Sequence, residues 1–138
     1  MKKFFVVVIL FMILISGVSL KSNFSLLNYF SGEYTVYTST KGKESVNLGF
    51  CYMSTNVLTE NVIGESVKIE NFEPISGLKT LKAKIVKTEY LENGTTVIYA
   101  YTNLINDSVK IENKKVNIQV AHKDEYSIIG WPLILGSF

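Results

Sequence analysis

The side chains best able to do chemistry in this sequence are few and far apart. His122 is the single imidazole and stands beside Lys123, Asp124 and Glu125, and Cys51 is the single thiol. An imidazole near carboxylates offers a general base or one metal ligand. A metal site ordinarily takes three or four ligands, and acids adjacent in sequence read more simply as a solvated turn. Cys51 and His122 would make a nucleophile and base only if the fold joined them, and nothing in the sequence does. The chain has no Gly-x-Ser-x-Gly elbow, no Ser-x-x-Lys motif with its usual partners and no Gly-rich phosphate loop. Its carboxylates are scattered and form no acid–base couple. No catalytic residue, metal ligand or cofactor is expected.

Aromatic residues are the largest store of contact chemistry. The sequence has eight tyrosines and one tryptophan. Such rings pack cores, bind sugars or peptides, and anchor interfaces. Tyr34, Tyr37, Tyr126 and Trp131 are the candidate interaction surface.

Most elements that must position these rings are strands. Phe24 to Phe30 reads as a short helix capped by Ser22 or Asn23 and ended by Gly32. From Glu33 to Thr40, Tyr34, Val36 and Thr38 alternate with Glu33, Thr35 and Tyr37. A second run sets Val46, Leu48, Phe50 and Tyr52 on one face, with Cys51 on the other. A third spans Ser66 to Phe72. Pro74 opens a short amphipathic helix through Lys82, in which Gly77 costs about 1 kcal/mol against alanine. Asn93-Gly94 is a strong hairpin signal. As a two-residue turn it pairs Tyr90 with Val97 and directs Val86, Thr88, Tyr90, Val97, Tyr99 and Tyr101 to the core. A second hairpin turns at Asn113-Lys114, pairing Ile111 with Val116 and Val109 with Ile118. Tyr126 to Trp131 is the last strand, stopped by Pro132, and the apolar end from Leu133 to Phe138 is expected to dock on the core. Ser-Val-Lys-Ile-Glu-Asn occurs at 66–71 and again at 108–113, which reads as two similar edge strands. The expected fold is an α+β domain with a mainly antiparallel sheet and one or two short helices on one face.

The start of the chain has a different character. Lys2 and Lys3 precede a stretch from Phe4 to Leu20 that carries no charge, the layout of an export signal or membrane anchor. Gly17 and Ser19 offer small residues for cleavage after Ser19, and retention as an anchor is the alternative. The chain thus divides into residues 1–21, signal or anchor, and residues 22–138, one domain. All 14 basic residues are lysine, and without Lys2 and Lys3 the remaining 12 lysines balance the 12 acids. A neutral, arginine-free, exported domain is a poor nucleic-acid reader, because arginine supplies most bidentate contacts to phosphate and base edges. The expected location is extracytoplasmic, secreted or held at the membrane.

The run Val116-Asn-Ile-Gln-Val-Ala121, followed by Ile128-Ile-Gly-Trp-Pro-Leu-Ile-Leu135, resembles the closing motif of the YwmB family. Leu78-x-x-Leu-x-Ala83, leading into Ile85-Val86 and the Asn93-Gly94 hairpin, is similar to the stretch upstream of that motif. The resemblance covers Ile75 to Phe138. It implies an exported or membrane-associated protein of a spore-forming Gram-positive bacterium. The implied fold is a curved antiparallel sheet like that of the TATA-box-binding protein. It brings no catalytic residues. The expected function is a non-catalytic cell-envelope module that binds an envelope protein and is related to sporulation. The alternative is a wall-polymer-binding domain or enzyme with an aromatic or acidic cleft, and DNA binding ranks below both.

Overall fold

A computed structural model describes residues 24–39, 44–57 and 61–134. The expected signal or anchor at 1–21 and the last four residues of the apolar tail lie outside the described residues. Among the described residues, nine strands and one α-helix follow a 3-10 turn at Leu26–Asn28. In chain order they are β1 (Gly32–Thr38), β2 (Glu44–Cys51), β3 (Val62–Glu70), α1 (Pro74–Thr80), β4 (Lys84–Tyr90) and β5 (Thr96–Tyr101). β6 (Val109–Ile111), β7 (Lys114–Val116), β8 (Ile118–His122) and β9 (Tyr126–Trp131) complete the set. Seven strands form one sheet in the order β2-β1-β3-β9-β8-β5-β4, with every neighbour antiparallel. β6 and β7 form a separate hairpin. The fold is therefore α+β, mostly antiparallel sheet with one short helix.

One face of the sheet carries the main core. Tyr34 and Val36 of β1, Val67 of β3, Ile129 of β9, Ile118 and Val120 of β8, and Ile98 and Ala100 of β5 form it together. The 3-10 turn covers this face with Leu26 and Leu27, Phe30 just after it joins them, and α1 with its following residue adds Leu78 and Leu81. Leu26, Leu27 and Leu81 are fully buried, and each such side chain contributes about 1.5–3 kcal/mol relative to exposure. The expected helix at 24–30 is thus a single 3-10 turn. Its cap is Ser25, whose hydroxyl accepts from the Leu27 amide. The expected α1 forms with Pro74 in its first turn and Glu73 as N-cap, accepting from the Ile75 and Ser76 amides. Gly77 has a packing reason: a Cβ there would lie 2.0 Å from the Phe72 ring. That ring in turn meets Phe30 edge-on at 5.5 Å.

Three strand registers differ from expectation. At the β4–β5 hairpin the loop is Glu92-Asn93-Gly94, three residues where two were expected. The Leu91 amide donates to the Thr95 carbonyl at 2.9 Å and the Gly94 amide to the Leu91 carbonyl at 3.1 Å. Gly94 takes φ +83°, and the Asn93 side chain accepts from the Thr95 amide at 3.0 Å. Such a turn, ending in a left-handed glycine, is the usual three-residue hairpin. The one-residue slip pairs Tyr90 with Thr96 and Thr88 with Ile98. It sends Ile98 and Ala100 into the main core in place of the aromatic set, and leaves Tyr90 82% exposed.

The second hairpin turns at Glu112-Asn113, both at positive φ, and pairs Ile111 with Lys114 and Val109 with Val116. The expected pairing of Val109 with Ile118 fails because Asn117 interrupts the strand and Ile118 belongs to β8 in the large sheet. Lys87 of β4 ties this hairpin to the sheet through Glu112 at 2.7 Å and also reaches Glu89 at 2.8 Å. Its hydrogen bonds to these carboxylates raise the Lys87 pKa, and the Lys87 ammonium lowers that of Glu112.

In β2 the expected alternation breaks at a bulge. Thr35 pairs with Asn47 and Tyr34 with Gly49, leaving Leu48 as the extra residue and Gly49 at φ +70°. A bulge shifts every later side chain to the other face. Val46 therefore lies on the core side beside Val36, whereas Phe50 sits beside Glu33 on the outer side. Cys51, expected on the less apolar face, packs against the core.

The repeated hexapeptide does not mark two edge strands. Its first copy lies in β3, flanked by β1 and β9, and its second in the β6–β7 hairpin. Both copies end at an asparagine with positive φ, Asn71 and Asn113. At the C-terminal end the Trp131–Pro132 bond is cis. The chain then crosses the outer face: Ile134 lies over Gly130 and donates its amide to Gln119 Oε1 at 2.8 Å. Of the tail expected to dock on the core, Leu133 and Ile134 are described, and Ile134 packs on the face opposite the main core.

Candidate interaction surface

Two of the four residues expected at an interaction surface are buried. Tyr34 and Trp131 belong to the core, and neither offers a ring to a partner. The physical reason is Glu65. Its place opposite Trp131 in the β3–β9 pairing, and beside Val36 of β1, puts a carboxylate under the 3-10 turn. A buried phenol and indole each need a hydrogen-bond acceptor, and this carboxylate supplies both. Glu65 Oε1 accepts from the Ser25 hydroxyl at 2.7 Å and from the Tyr34 hydroxyl. Oε2 accepts from the Leu26 amide at 3.1 Å and from Trp131 Nε1. A carboxylate has about four lone-pair sites, and here all four are occupied. No lysine is within ion-pair distance of it among the described residues. The group is a clasp joining the 3-10 turn, β1, β3 and β9, with no acceptor site left for a substrate.

Burial first, and the adjacent Glu65 carboxylate second, hold the Tyr34 phenol well above its ordinary value of 10.0. The unfolded chain releases this proton near pH 10 and the folded chain keeps it. The resulting stabilisation is complete below pH 10 and is lost as pH rises beyond it. Chemical unfolding between pH 9 and 11 is expected to show stability falling with pH, less steeply in Tyr34→Phe. A residual slope should remain from Tyr99, whose pKa is raised by burial and then by Glu89. Identical slopes in the two proteins would show that Tyr34 ionises freely in the fold.

A second clasp lies at the far end of the core. Asn117 is fully buried. Its Nδ2 donates to the Thr102 carbonyl at 2.8 Å and the Ile105 carbonyl at 3.2 Å, and its Oδ1 accepts from the Thr102 amide at 2.8 Å. The Thr102 hydroxyl donates to the Leu81 carbonyl at 2.7 Å, so the loop after β5 is fixed to the end of α1. No buried side-chain nitrogen or oxygen among the described residues lacks a partner.

Tyr37 and Tyr126 are half-exposed and lie on the outer face, but not together. Tyr37 pairs with Gly64 and Tyr126 with Glu70, opposite ends of β3 and roughly 20 Å apart at 3.3 Å per residue. Lys68 and Lys123 lie over the Tyr126 ring at 4.2 and 5.5 Å. Cys51 and His122 do not meet: β1, β3 and β9 separate their strands, about 19 Å at 4.8 Å per strand. His122 Nδ1 instead shares a hydrogen bond with Ser127 Oγ at 2.7 Å. Among the described residues no three His, Cys, Asp or Glu side chains converge as a metal site.

Apart from Ile75 on α1 and Leu104 in the loop after β5, the large exposed apolar side chains among the described residues gather at the two ends of the sheet. At the β2 end are Val46, Leu48, Phe50, Tyr52 and Met53; at the β4 end are Ile85, Tyr90 and Leu91. Sequence reasoning read β2 as half-buried and missed its exposure. The available signal was the absence of charge from Ser45 to Thr59. The signal for Glu65 was its parity with Val67 and Ile69, an acid in an apolar register. No helix among the described residues is long and apolar enough to cross a membrane. The chain matches no family model, no curated protein and no solved structure.

Proposed function

We propose that this chain is an extracytoplasmic module of the cell envelope, secreted or held at the membrane by its N-terminal segment, that binds another envelope protein and catalyses no reaction. The charge-free stretch after Lys2-Lys3 and the near-neutral, arginine-free remainder support the location. The likeness of the C-terminal strands to the YwmB family, with its curved sheet like that of the TATA-box-binding protein and its tie to spore formers, fits the same reading. The occupied acceptors of Glu65 and Asn117 support a binding role, because the buried polar groups are spent on the fold.

The observation that carries the reading is the β4 edge, which pairs with no further strand among the described residues. β4 ends the seven-strand order; its last residue, Tyr90, is 82% exposed, and Ile85 on the same strand and Leu91 after it are exposed as well. An unpaired edge offers backbone groups to an added strand, with exposed side chains giving specificity. Lys84 and Glu89 on the same strand supply a polar rim and blunt non-specific pairing.

A photoreactive phenylalanine at position 90, introduced into the full chain in its host, is expected to give one discrete adduct. Mass spectrometry should identify the adduct as a membrane or wall protein. The same group at exposed Asp124 should not give it. A folded chain with no adduct at position 90 would overturn the β4 assignment. A reporter fused after Phe138 that works only inside the cell would overturn the location.

A further inference from the structure

We propose that the exposed corner formed by Phe50, Tyr52 and Met53 rests in the headgroup region of a lipid bilayer, the same bilayer that the N-terminal segment enters. The proposal rests on the reading of residues 4–20 as a retained membrane segment. Three observations carry it.

The first is the composition of the corner. Phe50, Tyr52 and Met53 are 62, 73 and 55% exposed, and the two rings meet edge to face at 5.1 Å. Singly exposed apolar residues are ordinary, but a contiguous group on a sheet edge marks a contact surface. No charged residue occurs from Ser45 to Thr59, whereas the opposite edge strand carries Lys84, Lys87 and Glu89. Glu33 pairs with Phe50 across the strands and marks the limit of the patch. Its carboxylate accepts from Asn47 Nδ2 at 2.9 Å.

The second is position. The Ser54 amide donates to the Leu27 carbonyl at 2.5 Å and the Met53 amide to Ser31 Oγ at 2.6 Å. The corner is therefore fastened to the 3-10 turn with which the described chain begins. Only Lys21, Ser22 and Asn23 separate the apolar stretch ending at Leu20 from Phe24. Four Cα steps reach at most about 14 Å. A segment held in the bilayer would keep this corner close to the lipid surface.

The third is the kind of surface the corner fits. Tyrosine and other aromatic rings favour the membrane–water interface, where one end is apolar and the other wet. An added protein strand fits less well. The bulge at Leu48–Gly49 interrupts the row of backbone groups such a strand would pair with, and a lipid surface needs no such row.

The test uses the full chain reconstituted in phosphatidylcholine–phosphatidylglycerol vesicles containing bromine-labelled acyl chains. Tyr52→Trp is compared with Tyr90→Trp, both at highly exposed positions, and Trp131 serves as a common background. Carbonate extraction reports separately whether the chain is held in the vesicles. The expected result is retention of both variants, with at least twofold more bromine quenching of Tyr52→Trp. Retention with equal quenching overturns the lipid assignment and leaves the anchor reading standing. Retention with Tyr52→Trp unquenched but shielded on chemical cross-linking to a dimer assigns the corner to a second copy, and also overturns it. Release of the chain by carbonate overturns both readings.

Discussion

Glu65→Ala is expected to lower the unfolding free energy by about 3–5 kcal/mol, a large share of the roughly 5–15 kcal/mol typical of a domain. The substitution removes one acceptor group and strands four donors: the Ser25 hydroxyl, the Leu26 amide, the Tyr34 hydroxyl and Trp131 Nε1. Each buried donor left without a partner costs about 1–3 kcal/mol. Ser25 is only half-buried, so water can reach it, and the total falls below four full penalties. Glu65→Gln keeps the shape and one carbonyl oxygen. It turns an amide NH2 toward two of the donors, so its loss should be smaller, about 2–3 kcal/mol. Urea unfolding followed by the fluorescence of Trp131, the one tryptophan, measures both. A loss below 1 kcal/mol for the alanine variant would show that the donors find other partners and that the clasp is dispensable. A double-mutant cycle with Tyr34→Phe separates the phenol's share, because groups in one network do not add.

Asn117→Ala should be next in size, at about 2–4 kcal/mol. The side chain satisfies the Thr102 amide and the carbonyls of Thr102 and Ile105. Without it these backbone groups are buried and unpaired, and the alanine leaves a void as well. The effect should also be local. Hydrogen exchange at the Thr102 amide is expected to speed up far more than exchange in β1 or β3, because the Thr102–Ile105 loop opens first. Asn117→Asp tests the donor side specifically: it keeps an acceptor for the Thr102 amide and removes both donated bonds. Uniform acceleration across the sheet, with no excess at Thr102, would place the damage in global stability instead of the clasp.

The two edges of the sheet lead to opposite expectations about surface substitution. Tyr90, Phe50 and Tyr52 are exposed, so polar replacements there should leave folding nearly unchanged, within about 0.5 kcal/mol. Their effects are expected in adduct formation at the β4 edge and in lipid quenching at the β2 corner. The Glu65 and Asn117 variants should show the reverse pattern, with large losses of stability and binding altered only through unfolding.

The sequence by itself determined the elements that depend on neighbours in the chain. Alternation in Tyr34-Thr-Val-Tyr-Thr38 specifies β1, Pro74 with Glu73 before it starts α1, and Asn93-Gly94 places a turn. These follow from local backbone preference and side-chain period, which act over a few residues. Tertiary structure decided the rest through register. A one-residue slip at Glu92-Asn93-Gly94 and a single extra residue at Leu48 reversed which side chains face inward on β5 and β2, because a strand has period two. Partners distant in sequence decided the fate of the rings. Tyr34 and Trp131 are buried because Glu65, 31 and 66 positions away, can accept from both. Tyr37 and Tyr126 stay near the surface because their strands turn them to the outer face. Local pattern sets what an element is. Which of its faces is buried depends on packing against elements far along the chain, and no short window of sequence contains that information.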